Sequence, residues 1–188
     1  MRVWPISLSL LACLLLLAVV TGCGSEGSVP SPQPGESEPT PLPTEPSKLV
    51  SVEYDITYAN VSGVALKMDI YYPEVANGPV PAVVYVHGGG WIGGDKADGI
   101  GMMIIPALVA RGYLVAAVNY RLAPQYRFPA QIEDVKCAIR YLRAKADTYR
   151  IDPTRVGAFG SSAGGHLVAL LSTSDPSAGL EGRYGYND

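Results

Sequence analysis

Only two histidines occur in the 188 residues, His87 and His166. Any chemistry that runs on an imidazole base must use one of them or find its base elsewhere. Three cysteines are too few for a disulfide framework, and no CxxC or His/Cys cluster of zinc-site spacing is present. There is no Gly-Lys-Ser/Thr and no G-x-G-x-x-G opening a helix, which argues against a nucleotide cradle. The formal net charge is only −3, so electrostatics alone gives no reason to expect a nucleic-acid partner. Charged residues make up 16% and hydrophobic ones 48%, which excludes a wholly disordered chain. The length suits one domain with a tail.

The tail comes first. Arg2 and the apolar run Leu10 to Val20, 11 residues long, read as a secretion signal over residues 1–22. The run falls short of the roughly 20 residues that a membrane-crossing helix needs. Val20-Thr21-Gly22-Cys23 resembles the lipobox of bacterial lipoproteins, which implies lipidation at Cys23 and an extracytoplasmic, membrane-anchored protein. Residues 23–48 follow as a linker, with seven prolines between Gly24 and Lys48 and almost nothing apolar. Such a stretch reaches roughly 30 Å as a coil and up to about 78 Å as polyproline II. The four glutamates Glu26, Glu36, Glu38 and Glu45 carry the net acidity, and Lys48 to Asp188 balances 13 basic against 13 acidic residues.

Residues 49–188 read as an α/β domain. Leu49 to Tyr58 and Val64 to Tyr72 alternate with period 2, predicting a hairpin joined through Asn60-Val61-Ser62-Gly63. The continuous apolar runs Ala82 to Val86 and Tyr113 to Asn119 predict strands buried on both faces. A helix between them ends near Arg111-Gly112, with Pro106 expected in its first turn. Pro129 opens a second helix with an apolar stripe of Ile132, Val135, Ile139, Leu142 and Ala146. Arg155 to Phe159 predicts a fifth strand, and Ser162 to about Thr173 a third helix. Helices alternating with buried strands imply a mostly parallel sheet with helices on its faces.

Two motifs carry chemistry. Gly160-Ser161-Ser162-Ala163-Gly164 is a G-x-S-x-G between a strand and a helix, the setting of a nucleophile elbow with Ser162 as nucleophile. Glycines two residues to either side let strand and helix approach without a Cβ clash. His87-Gly88-Gly89-Gly90-Trp91 follows the third strand, where bare backbone N–H groups can hold a developing oxyanion. Gly88, Gly89 and the N–H of Ala163 are assigned to that role, with Gly90 beside them. Glu133 and Asp134 read as acids favouring a helix dipole. Asp95-Lys96 reads as a loop ion pair, and Cys137 as core.

With these motifs in place the chain resembles bacterial α/β-hydrolase esterases of the hormone-sensitive-lipase-like group, nearest the feruloyl and acetyl xylan esterase type of carboxylesterase. The resemblance runs from about Tyr54 onward. It includes the two motifs above, Asn119-Tyr120-Arg121-Leu122-Ala123-Pro124, Phe128 to Val135, Ile151-Asp152-Pro153 and Gly165-His166. It implies ester hydrolysis through an acyl-serine, with no cofactor, on small or polysaccharide-linked esters. It also implies that His87 braces the glycine loop. The order Ser, Asp or Glu, His implied by the fold is not met, because only 26 residues follow Ser162 and their one histidine, His166, lies a single helical turn beyond the serine, with no later strand between to carry an acid and a base. The expectation is a chain truncated after the nucleophile helix, lacking triad acid and base and inactive as it stands. His166 is expected to pack against the sheet. Two alternatives remain open: a non-catalytic scaffold lipoprotein, and a prolyl-oligopeptidase-like peptidase fragment, although that group typically has proline where this chain has Gly90.

Overall fold

The computed structural model describes residues 51–74 and 78–186. The signal, Cys23 and linker readings lie outside these residues. Five strands, β1 (Ser51–Val61), β2 (Val64–Tyr72), β3 (Val80–Val86), β4 (Leu114–Val118) and β5 (Ile151–Gly160), form one sheet in the order β1-β2-β4-β3-β5. β3 runs parallel to both β4 and β5, while β2 is antiparallel to β1 and β4. Between the strands lie α1 (Gly101–Ala110), α2 (Ala130–Ala144) and α3 (Ala146–Tyr149), and α4 (Ala163–Thr173) follows β5. No helix among the described residues is long and apolar enough to cross a membrane.

The hairpin is tighter than the sequence suggested. Val61 pairs with Val64, so the turn is Ser62-Gly63 alone, both at positive φ. Two residues of that conformation match the natural twist of paired strands. Strand β1 is bulged at Asp55, which has φ 57° and donates its N–H to Asp69 Oδ1 at 2.8 Å. On β2, Leu66, Met68 and Ile70 enter the larger core, with Val84, Val86, Ala116, Val118, Ile132, Val135, Leu142 and Leu167. On the other face Tyr71 joins Tyr85, Ile105, Val109, Val115 and Ala117 under α1. The sheet is therefore covered on both sides.

Two helix expectations are corrected. Pro106 lies in the middle of α1, not its first turn. The helix starts earlier because the loop carbonyls of Gly99 and Ile100 accept from Met102, Met103 and Ile104. Glycine at 101 permits this start, since a Cβ there would overlap the Tyr85 ring. Ala146 does not extend the stripe of α2, which ends at Ala144; Ala146 opens α3 instead.

Candidate active site

Strand β5 ends at Gly160 and α4 begins at Ala163, leaving a two-residue elbow. Ser162 sits there at φ 52°, ψ −120°, a conformation that costs a non-glycine residue roughly 1–3 kcal/mol. The elbow is closed by Gly164 N–H donating to Ser161 O at 2.9 Å and His166 N–H to Ser162 O at 3.0 Å. Glycine is required on both sides. A Cβ on Gly160 would lie 2.6 Å from the Gly164 carbonyl carbon, and one on Gly164 would lie 2.5 Å from the His87 carbonyl oxygen and overlap Val86. Ser162 is solvent-exposed. Ala163 is the first residue of α4, so its N–H has no intrahelical acceptor and faces the end of the helix where the dipole is positive.

The glycine loop leaves β3 beside this elbow. A Cβ on Gly88 would lie 3.4 Å from Ser162 Cβ and 3.0 Å from Ser161 O, which places the loop backbone against the serine. Gly89, Gly90 and Trp91 all have positive φ. Gly89 O accepts from both Ile92 and Gly93 N–H at 3.1 Å, which folds the loop into a tight turn. The fold thus brings Gly88, Gly89, Ser162 and Ala163 together from two strand ends.

His87 is buried. Its Nδ1 lies 2.7 Å from Gly88 O, and a carbonyl only accepts, so Nδ1 carries the proton. Burial pushes the imidazole below its ordinary value, opposed by the Gly88 carbonyl and the charges of Asp95 and Asp98. Its ring stacks on Tyr120, with centroids 4.3 Å apart and planes at 11°. Burial, then the nearby Tyr85, pushes the Tyr120 hydroxyl up to about 12, so it remains a donor throughout the physiological range. His166 departs from expectation. It is exposed, and meets Trp91 edge-to-face at 5.3 Å instead of packing on the sheet. The first turn of α4 carries it outward, against Trp91 of the glycine loop.

Two of the acid readings also change. Asp134 is fully buried and binds Arg121 through both oxygens, at 2.8 and 2.9 Å, while also accepting from Arg121 N–H at 2.8 Å and from Tyr184. It fastens the loop after β4 to α2, a role unrelated to the helix dipole. Lys96 pairs with Asp55 and Asp69 at 3.2 Å each, and only at 3.9 Å with its neighbour Asp95. Cys137 is buried, as expected. Sequence reasoning missed Tyr120. The signal lay in the strand neighbours: Val86 pairs with Val118, so two residues further on Tyr120 comes beside Gly88.

A serine on a strained strand-to-helix turn, a glycine loop from the neighbouring parallel strand and helices on both faces of a mixed sheet define an α/β-hydrolase fold. Residues 68–188 match the BD-FAE family, and the chain belongs to that family. It is 35% identical to Esterase LipC of Mycobacterium tuberculosis over 58% of this chain and 32% of that one. It is 34% identical to Carboxylesterase NlhH of the same organism over 70% of this chain and 41% of the other. The chain therefore spans about a third to two fifths of these relatives' length. Among solved structures it is similar to the thermostable carboxylesterase EstE1 from a metagenomic library, with TM-score 0.61, 33% identity, and 71% and 44% of the two chains covered. It is also similar to the esterase Est2 of Thermogutta terrifontis, with TM-score 0.59, 32% identity, and 66% and 45% covered.

Proposed function

We propose that the protein is a serine carboxylic-ester hydrolase acting on short acyl, acetyl or feruloyl-type esters. The observation that carries this reading is the close approach of the Gly88 backbone to Ser162, near enough that a Cβ on Gly88 would touch the serine, which sets a bare peptide loop beside a strained, exposed hydroxyl. Ser162 Oγ attacks the ester carbonyl, and the N–H groups of Gly88, Gly89 and Ala163 take the negative charge that develops on its oxygen. Collapse breaks the ester C–O bond, the departing alkoxide takes up the proton given up by the Ser162 hydroxyl and leaves as the alcohol, and the remaining acyl-serine is hydrolysed by water to the acid and free Ser162. The names of the relatives support ester chemistry over peptide chemistry.

A general base must come within about 3 Å of the serine oxygen. His87 is committed to Gly88 O and stacked under Tyr120, so it serves the loop and not the serine. His166 packs on Trp91. In this reading neither is the base, and the 188-residue chain by itself turns over slowly. The test runs on the chain together with whatever sequence follows Asp188 in its reading frame. Hydrolysis of p-nitrophenyl acetate and butyrate is expected, with Ser162→Ala reducing turnover about 10⁶-fold. Turnover unaffected by that substitution overturns the reading, and its complete absence favours a scaffold. We further propose an extracytoplasmic protein anchored through lipidated Cys23. Incorporation of labelled fatty acid in a bacterial host is expected, and label retained by Cys23→Ala overturns the anchor.

A further inference from the structure

We infer that Tyr120 is a positioning residue for the oxyanion hole, acting through the peptide planes of the glycine loop. This rests on the reading of Gly88 and Gly89 as oxyanion donors. In a trans peptide the C=O and N–H point in opposite directions, so holding a carbonyl aims the N–H of the next residue. The His87–Gly88 peptide carries the Gly88 N–H, and its carbonyl accepts from the Tyr120 hydroxyl at 3.0 Å. The Gly88–Gly89 peptide carries the Gly89 N–H, and its carbonyl accepts from His87 Nδ1 at 2.7 Å, with the Tyr120 hydroxyl again at 3.5 Å. One tyrosine thereby clamps the first peptide directly, and the second through the imidazole stacked on its ring.

The clamp is needed because glycines give the loop no side chains of its own to resist a peptide flip. It is also well seated. Tyr120 is buried, and the residue before it is held three ways: Asn119 O accepts from Tyr58 Oη at 2.6 Å, Asn119 Oδ1 from Lys96 N–H at 2.6 Å, and Asn119 Nδ2 donates to Asp95 at 2.7 Å. Gly94 closes the far side, since a Cβ there would lie 2.5 Å from His87 Nδ1 and 2.6 Å from Gly88 O. A hydroxyl carried on the segment just after β4 therefore orients donors on the loop after β3.

Tyr120→Phe removes the hydroxyl and keeps the ring that stacks on His87. Losing an oxyanion donor outright costs about 10²–10³ in turnover, and a donor left in place but poorly aimed should cost less. The expected result is a fall in kcat of roughly 10- to 100-fold with KM nearly unchanged, the pattern of an interaction made in the transition state. Affinity for butylboronic acid, whose serine adduct mimics the tetrahedral intermediate, should fall by a similar factor, while affinity for butyrate should hold. Tyr149→Phe removes a comparable buried hydroxyl, bonded to Tyr141 Oη at 2.9 Å and not to the glycine loop or Asn119, and should leave kcat unchanged. Ser162-dependent turnover with normal kcat in Tyr120→Phe overturns the inference and leaves the esterase reading intact. Absence of Ser162-dependent turnover in the wild type sinks the esterase reading and this inference with it. Crystal structures of wild type and Tyr120→Phe give a readout independent of turnover. A reoriented or doubly populated His87–Gly88 peptide is expected in the variant, and an unchanged one overturns the clamp.

Discussion

His87 shows how one buried side chain ties the site to pH. Burial holds its imidazole below the ordinary 6.5, so the folded protein keeps it neutral where the unfolded chain has begun to bind a proton. The sign follows directly: this group's contribution is complete above about pH 6.5 and is lost as pH falls below it, because protons favour the unfolded state. Over one pH unit below that point a single such group can remove at most about 1.4 kcal/mol. His87→Asn keeps a donor near Nδ1 and removes the titration. Denaturant unfolding at several pH values between 7.5 and 5.5 should therefore show a shallower loss of stability for His87→Asn than for wild type. Equal slopes would contradict a neutral buried imidazole. At this scale the sequence was legible where geometry is local: the tight turn at Gly160, Ser162 and Gly164 was readable because strand, turn and helix signals adjoin it. Tyr120, Asp134 and Lys96 were not, since their partners lie on other elements.

Element boundaries followed the same division. The alternating and continuous apolar runs located β2, β3 and β4, because burial on one or both faces leaves its period in the sequence. The bulge of β1 was invisible because it depends on Asp69 receiving the Asp55 N–H from the neighbouring strand. That carboxylate is buried, and its other oxygen faces Lys96 Nζ, so β1, β2 and the loop after the glycines meet at one ion cluster. Burial would lower the Lys96 ammonium, but its hydrogen bonds to Asp55 and Asp69 raise it on balance and keep it charged. Lys96→Met leaves Asp69 buried without its cation, and breaking such a pair typically costs about 3–5 kcal/mol. Adding Asp69→Asn should recover part of that loss, a coupling that a double-mutant cycle measures. Additive losses would mean that the cluster is not energetically joined.

For the whole molecule, alternation of helices with buried strands was enough to read the α/β class, but not the strand order. Nothing in the periodicity says that β4 inserts between β2 and β3, which is what brings Tyr120 to the glycine loop. The same order leaves β5 with β3 on one side and, among the described residues, no strand on the other. Gly157 is open there, with nothing near the position a Cβ would take. A groove of about 410 Å³ runs alongside, lined mainly by Ile139, Val156, Ala158, Val168 and Leu171, with Arg143 and Ser172 also on its wall. On the opposite face α1 carries no charged residue and presents Met103, 79% exposed, next to Ile100. A bare parallel edge beside apolar surface is a template for association. Residues 48–188 expressed alone should therefore self-associate at micromolar concentration, read by light scattering or sedimentation. Lysine placed at the exposed Gly157, where a side chain meets nothing, should reduce that association by putting charge on β5. A monodisperse wild-type monomer that unfolds cooperatively would show instead that this edge and the α1 face are tolerated in water.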